Sequence, residues 1–333
     1  MTVRARIKGW IGAALWPYHA RLAAQLVLRN RRGLVLTFHY IGEPVLPGVA
    51  EDLFISRSEF SRVLDFISEH LTPLPPAVFL KLLRSGTLPR RATMITFDDC
   101  TEQTVVHALP ELAQRRLAAC FFVNPGLIAA DRMIPSIELM SLCAAAPAGV
   151  HDIRIAPVLR VEITGRASRV ASFRRLWPRV LNCPSPGHFN LLRRIREGLH
   201  VERVPIREQR LAGWDLLKTL DEAGMLIGNH TMFHSTIAAD GELHFGKEVG
   251  QAYRSIEEHL GQRVRVFCYP YGRVQDSGPV AEEVLRGLGT DYAFVTRGGV
   301  AAPHRSGHLN LHREDASYSA EATKLAPLLA CLR

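Results

Sequence analysis

Three polar clusters in this 333-residue chain could do chemistry, and each stands at the end of an apolar run. Thr96-Phe97-Asp98-Asp99-Cys100 follows Ala92 to Ile95. Gly228-Asn229-His230-Thr231-Met232-Phe233-His234-Ser235 and Cys268-Tyr269-Pro270-Tyr271-Gly272 are the other two. His230 and His234 are separated by three residues, a spacing that lets two neutral imidazoles point the same way on one helical turn and suits zinc or a similar divalent ion. A carboxylate from another strand would complete a three-ligand set. Such a set keeps a position open for water or substrate and brings a water's pKa towards about 7, which is the signature of a catalytic site and not of a structural one. Asp98 and Asp99 side by side in a low-dielectric mouth repel each other unless a cation compensates. Taken singly, the histidine pair also fits a surface or helix-capping role and the Asp pair a turn; together they reinforce a His₂Asp reading.

For these clusters to meet, parallel strands must deliver them to one face. Short β-type runs recur at Leu34 to His39, Thr93 to Phe97, Ala119 to Val123, Met225 to Asn229, Val264 to Tyr269, Tyr292 to Thr296 and His308 to His312. Helical patterns lie between them, the alternation expected of an α/β fold with a largely parallel sheet, whose C-terminal strand ends converge on an active face. Ser56 and Glu59 have capping-box spacing, and Phe60, Val63, Leu64 and Ile67 repeat at helical intervals behind them. Further helices are expected over Glu102 to Arg116, Leu211 to Ala223, Phe245 to Leu260 and Val280 to Leu288, the last two stopping near Gly261 and Gly289. From about Asp131 to Arg210 the rhythm breaks into an Arg-rich, Pro-punctuated insertion. Helices are expected there around Ile137 to Ala146, Ser168 to Val180 and Phe189 to Gly198, beside the barrel mouth. The expected organisation is a basic amphipathic segment over 1–32, a barrel over 33–320 carrying the insertion at about 131–210, and a tail over 321–333.

With 47% hydrophobic and 22% charged residues the chain can bury a sizeable core and carries no disorder signature. Its formal charge of +9 favours acidic partners, but the basic residues match no nucleic-acid module and lack an aromatic reading surface, so nucleic acid is not expected. Cys100, Cys120, Cys143, Cys183, Cys268 and Cys331 show neither close pairs nor metal-type spacing, which fits a reducing, cytoplasmic setting. The apolar run from Gly9 to Trp16 is broken by Pro17, His19 and Arg21 well before the roughly 20 residues that span a bilayer. No leader peptide or membrane span is therefore expected. Ile7, Trp10, Ile11, Ala14, Leu15 and Tyr18, with Arg4, Arg6 and Lys8 nearby, could instead lay a short helix on an anionic membrane surface or pack it against the domain.

Asp98-Asp99 after Thr-Phe, the His230 to His234 pair and Pro270-Tyr271-Gly272 resemble the first three motifs of the polysaccharide deacetylases, carbohydrate esterase family four. Val35-Leu36-Thr37-Phe38-His39-Tyr40 is similar to that family's opening strand and Leu311-His312-Arg313 to its closing one, so the resemblance runs from about Leu34 to Asp315 and covers the insertion least. It implies a deformed, TIM-like (β/α)₇ barrel that hydrolyses the N-acetyl group of an amino sugar in a polysaccharide, oligosaccharide or lipid-linked glycan, with a divalent metal, usually zinc. It further implies Asp99, His230 and His234 as ligands and Asp98 as the general base towards the attacking water. Tyr271 would donate its backbone N–H to the oxyanion, and a late histidine, His312 in preference to His308, would be the general acid.

Two departures stand out. Cys100 replaces a glycine that usually eases the turn after the Asp pair, and is read as a tolerated substitution, a soft ligand or an oxidation-sensitive thiol. Cys268 occupies the place of an arginine that usually orients the base, which leaves Asp98 without its expected support. His39 would look into the same mouth, as a substrate contact, a support for the metal shell or a core histidine. Trp214, Phe233 and Tyr269 could stack on sugar rings or pack in the core. Competing readings are a catalytically degenerate glycan-binding barrel and a metal-dependent hydrolase of a non-sugar amide; the oligomeric state is not specified by the sequence.

Overall fold

Apolar runs too short for helices become strands buried on both faces. In the computed structural model, which describes residues 32–202, 204, 209–261, 263–299, 301–302 and 308–316, these are β1 (Leu34–Phe38), β2 (Ala92–Phe97), β3 (Ala119–Val123), β4 (Leu226–Asn229), β5 (Val266–Cys268), β6 (Tyr292–Val295), β7 (Leu311–His312) and β8 (Glu314–Asp315). Every residue of β1, β2 and β3 is buried, the unbroken hydrophobic pattern of a parallel sheet covered by helices. Neighbours pair in parallel in the order β7-β6-β5-β4-β3-β2-β1-β8.

The two ends of that order are one stretch of chain. His312 pairs with Val295 of β6, whereas Glu314 and Asp315 pair with Leu36 and Thr37 of β1. Arg313, the single residue between, therefore stands at the seam where the sheet closes. Counting the seam stretch as one stave gives the seven expected of a (β/α)₇ barrel.

Helices Arg57–His70, Pro76–Ser85, Glu102–Gln114, Trp214–Glu222, Glu242–Leu260 and Pro279–Gly287 form the crossovers. The first begins as the sequence predicts: the Ser56 hydroxyl accepts from Glu59 N–H at 3.3 Å while the Glu59 carboxylate accepts from Ser56 N–H at 3.4 Å. Its Phe60, Val63, Leu64 and Ile67 enter the barrel core beside Phe38 and Phe97. Ser56→Ala is expected to cost about 1 kcal/mol, seen as an earlier urea midpoint with an unchanged slope.

Between β3 and β4 the insertion forms helices Pro135–Ala145, Arg166–Leu181 and Gly187–Gly198, with an antiparallel pair, Gly149–Ile153 and Leu159–Ile163, that was not expected. It has its own apolar core, in which Met140, Ile153, Ile163, Leu176 and Leu192 pack together and reach Tyr40 and Phe54 of the barrel. The insertion thus rests on the loop after β1, at the C-terminal end of the strands. The basic amphipathic stretch, Arg32 apart, and the tail over 321–333 lie outside the described residues. Among the described residues, no helix is long and apolar enough to cross a membrane.

Candidate active site

Asp98 leaves the end of β2, its backbone N–H donating to Phe38 O at 2.9 Å. Its carboxylate is held by the seam arginine. Arg313 Nη1 donates to Oδ1 at 2.7 Å and Nη2 to Oδ2 at 2.6 Å, a two-pronged grip that fixes the plane of the carboxylate. Arg313 is fully buried and donates also to Thr96 Oγ1 at 3.0 Å and Val295 O at 3.3 Å, with its guanidinium over the Phe122 and Phe294 rings. Burial pushes the Asp98 carboxyl up, but the charge and hydrogen bonds of Arg313, with His230 and His39, outweigh it and hold Asp98 far below the usual carboxylate range. Because Cys268 stands where an arginine usually does, sequence reasoning leaves Asp98 held differently, or less well. It is held differently: the guanidinium comes from Arg313 at the seam, and Cys268 Sγ lies 3.0 Å from Arg313 Nη2 and 3.4 Å from Asp98 Oδ2.

Asp99 follows in a left-handed conformation, φ 66°, as does Cys100 at 51°. This places two non-glycine residues where a side chain costs roughly 1 kcal/mol or more each, strain of the kind that clusters at functional sites. The turn aims Asp99 at the histidines. Tyr40 OH donates to Asp99 Oδ2, leaving Oδ1 buried with no hydrogen-bond partner among the described residues. Asp99 Oδ1 lies 3.1 Å from His234 Nε2 and 3.6 Å from His230 Nε2. Four ligands at zinc distances of 2.0–2.1 Å around a tetrahedron are about 3.3 Å apart, so these spacings fit one ion.

The rest of the donor chemistry agrees. His230 Nδ1 faces Cys268 O at 2.8 Å, which fixes the tautomer with Nε2 free towards Asp99. Burial and His234 push His230 down to about 4, keeping the imidazole neutral. Burial opposes ionisation of Asp99, but His234, His230 and His39 bring it down to about 2, the charged form that a cation needs. Asp98, His230 and Cys268 also cluster, but Arg313 already occupies both Asp98 oxygens and its charge repels a second cation.

The histidine pair is not helical, contrary to expectation. It sits on an irregular loop with Thr231 at φ 68° and His234 at 58°. Asn124 Nδ2 donates to His230 O and Thr231 O, Asn229 Oδ1 accepts from Thr231 N–H at 2.8 Å, and Thr231 Oγ1 accepts from Ser235 N–H at 3.0 Å. Side chains thus do the work of a helical ladder. A Cβ at Gly126 would lie 2.4 Å from the Phe233 ring, so only glycine lets this loop close down.

Tyr271 follows β5 at φ 61°, its ring edge-on to His234 with centroids 4.5 Å apart and near Trp177 of the insertion at 5.4 Å. Gly272 is required beside it, because a Cβ there would lie 2.2 Å from Thr296 Oγ1. The two late histidines are placed elsewhere. His312 turns its Nδ1 to Gly298 O at 3.1 Å, since successive strand residues face opposite ways and Arg313 takes the inward position. His308 packs on Tyr292, at the start of β6 and so at the far end of the strands. His39 is the histidine in the mouth: buried, its Nε2 is 3.7 Å from Asp98 Oδ2 and its Nδ1 lacks a partner among the described residues.

Arg313 and Tyr40 are the functional residues that sequence reasoning did not assign. His188, from the insertion, joins them: it is buried and close enough to His234 that, after burial, the charge of that residue helps push it down to about 4. Trp214 stacks on His259, Tyr269 is a core residue bonded to Leu309 O, and Phe233 packs on Phe189.

Cys100 is a buried thiol whose pKa is pushed up by burial and by Asp99, so it is neither thiolate ligand nor ready nucleophile. In the folded protein, iodoacetamide is expected to modify half-buried Cys183 while sparing Cys100, Cys120 and Cys268 until denaturant is added, as read by peptide mass mapping.

Residues 182–292 match the family model for polysaccharide deacetylase. That stretch, about a third of the chain, is similar to the polysaccharide deacetylases. The match takes in His230, His234 and Tyr271, whereas Asp98, Asp99 and Arg313 lie outside it and are brought beside these residues by the barrel. Solved structures agree in fold. The Streptococcus pyogenes deacetylase PplD, in complex with acetate, aligns with a TM-score of 0.59 at 15% identity, covering 91% of this chain and 98% of that one. IcaB from Ammonifex degensii aligns at 0.57 and 20% identity, covering 91% and 97%. A de-N-acetylase from Aggregatibacter actinomycetemcomitans aligns at 0.52 and 13%, covering 89% and 99%. A comparison with curated proteins gives no match. At these identities the likeness establishes the shared barrel, and the deacetylase chemistry has to be argued from the residues.

Proposed function

We propose that this chain hydrolyses the N-acetyl group of an amino sugar in a polysaccharide, oligosaccharide or lipid-linked glycan, using a divalent ion, most simply zinc, held by Asp99, His230 and His234. One observation carries the reading. An ionised, doubly gripped Asp98 stands next in the chain to a buried His₂Asp set whose ligand atoms lie within 4.8 Å of one another.

Amide hydrolysis needs an activated water, a stabilised oxyanion and a proton for the leaving nitrogen. A bound divalent ion supplies Lewis acidity, polarising the carbonyl and making a water more acidic. Asp98 accepts the proton of the attacking water, with Arg313 holding the carboxylate in plane. Tyr271 offers its backbone N–H to the developing oxyanion from the turn after β5. His39 replaces His312 as the proton donor, because His39 borders Asp98 in the mouth whereas His312 is engaged by Gly298. The degenerate-barrel reading rests on Cys100, Cys268 and the uncertain acid; the observed packing accommodates both cysteines, and His39 is the acid proposed here.

The test is acetate release from N-acetylglucosamine oligomers and lipid-linked N-acetyl sugars by protein stripped with a chelator and then reloaded with zinc. Release that disappears on stripping and returns on reloading is expected. No metal-dependent release from any acyl-amine, sugar or otherwise, overturns the proposal; release confined to non-sugar amides overturns its substrate class.

A further inference from the structure

A second group of ligating side chains lies apart from the Asp99 trio. Asp240, His244 and Glu248 present atoms within 4.8 Å of one another. Asp240 ends the short helix Ile237–Asp240, and His244 and Glu248 follow one turn apart on Glu242–Leu260, on one face. His244 Nε2 lies 3.9 Å from Asp240 Oδ2 and 3.8 Å from Glu248 Oε1, too far to bond either. The Asp240 side chain is fully buried. Its Oδ1 accepts from Ser185 N–H at 2.8 Å, yet Oδ2 and His244 Nε2 are both buried without a hydrogen-bond partner among the described residues.

The surroundings do not neutralise the two carboxylates. Their ion pairs among the described residues are with His244 alone. Burial, followed by the charge of Asp240, pushes Glu248 up to about 7, and burial raises Asp240 as well. A cation between them would remove that conflict. Glu248 is also oriented from outside: Oε2 accepts from Phe233 N–H at 3.2 Å and Ser235 Oγ at 3.4 Å, while Oε1 accepts from Ser185 Oγ at 3.2 Å. Such outer hydrogen bonds are what aim a metal-binding carboxylate.

We propose that Asp240, His244 and Glu248 form a second divalent-cation site, of the zinc class given one imidazole and two carboxylates. It joins the insertion, through Ser185, to the loop that carries His234. The site is structural in consequence and does not depend on the reaction proposed above.

The full chain, stripped with a chelator and dialysed against zinc, is expected to hold two zinc ions by elemental analysis. His244→Ala and His230→Ala are each expected to hold one. Crystals of the wild-type protein soaked in zinc should show an anomalous peak among Asp240, His244 and Glu248. Glu248→Gln, which keeps the shape of the side chain, serves where His244→Ala does not fold. A single zinc in the wild type that disappears with His230→Ala overturns the proposal, as does an anomalous map without that peak. A zinc lost with His244→Ala but retained unchanged in His230→Ala would instead sink the Asp99 centre and leave this one standing.

Discussion

Asp98→Asn is expected to lower the rate of acetate release by about three orders of magnitude, within the range of 10²–10⁴ found for general bases, while zinc at the Asp99 centre stays at the wild-type level. Asn fills the same space and its oxygen still accepts one Arg313 hydrogen bond, but it takes up no proton. If Asp98 serves as proposed, in the step where the water attacks, kcat should fall and KM change little. The variant also places an amide N–H₂ against the second guanidinium nitrogen, which costs about 1–3 kcal/mol, so activity must be read well below its melting temperature. A variant with near wild-type turnover would mean that another group takes the proton, with His39, 3.7 Å away, the first to examine.

The clustering of Asp99, His230 and His234 beside Asp98 could be read in the sequence because each is tied to the end of a strong apolar run, and those runs became strands within a residue or two of the expected limits. The supports of the site could not be read. Arg313 looks like any charged residue after a short strand until the pairing of His312 with β6 and Glu314 with β1 shows that it stands at the closure. Tyr40 reads as one more aromatic in an extended run, and only the turn at Asp99 brings the carboxylate under its hydroxyl. His312 was favoured because it ends a strand, but strand alternation allows one inward residue there and Arg313 takes it. The missed hairpin did carry a signal. In Leu159–Ile163 the buried Val161 and Ile163 alternate with exposed Arg160 and Glu162, a period of two that the surrounding prolines and helical stretches obscured. The histidine loop is the reverse case, a helical spacing realised without a helix, because Asn124, Asn229 and Thr231 satisfy the backbone from the side.

Arg313→Met should be the most destabilising substitution in the site, by about 3–5 kcal/mol, since it leaves the Asp98 charge buried without its counter-ion. For a domain of this size that is a fall in melting temperature on the order of 10 °C. The cost has two origins that can be separated. One is the uncompensated carboxylate; the other is the loss of the bonds to Val295 O and Thr96 Oγ1, which tie the seam to β6 and β2. Adding Asp98→Asn removes the first origin and leaves the second. The double variant is therefore expected to be more stable than Arg313→Met alone, so that the two substitutions are strongly non-additive. Arg313→Lys keeps the charge but cannot grip both oxygens, and should fall between wild type and Arg313→Met in stability while losing most activity, because the carboxylate plane is no longer fixed. Additive effects of Asp98→Asn and Arg313→Met would show that the pair contributes little as a pair, and that the seam itself is the source of the stability.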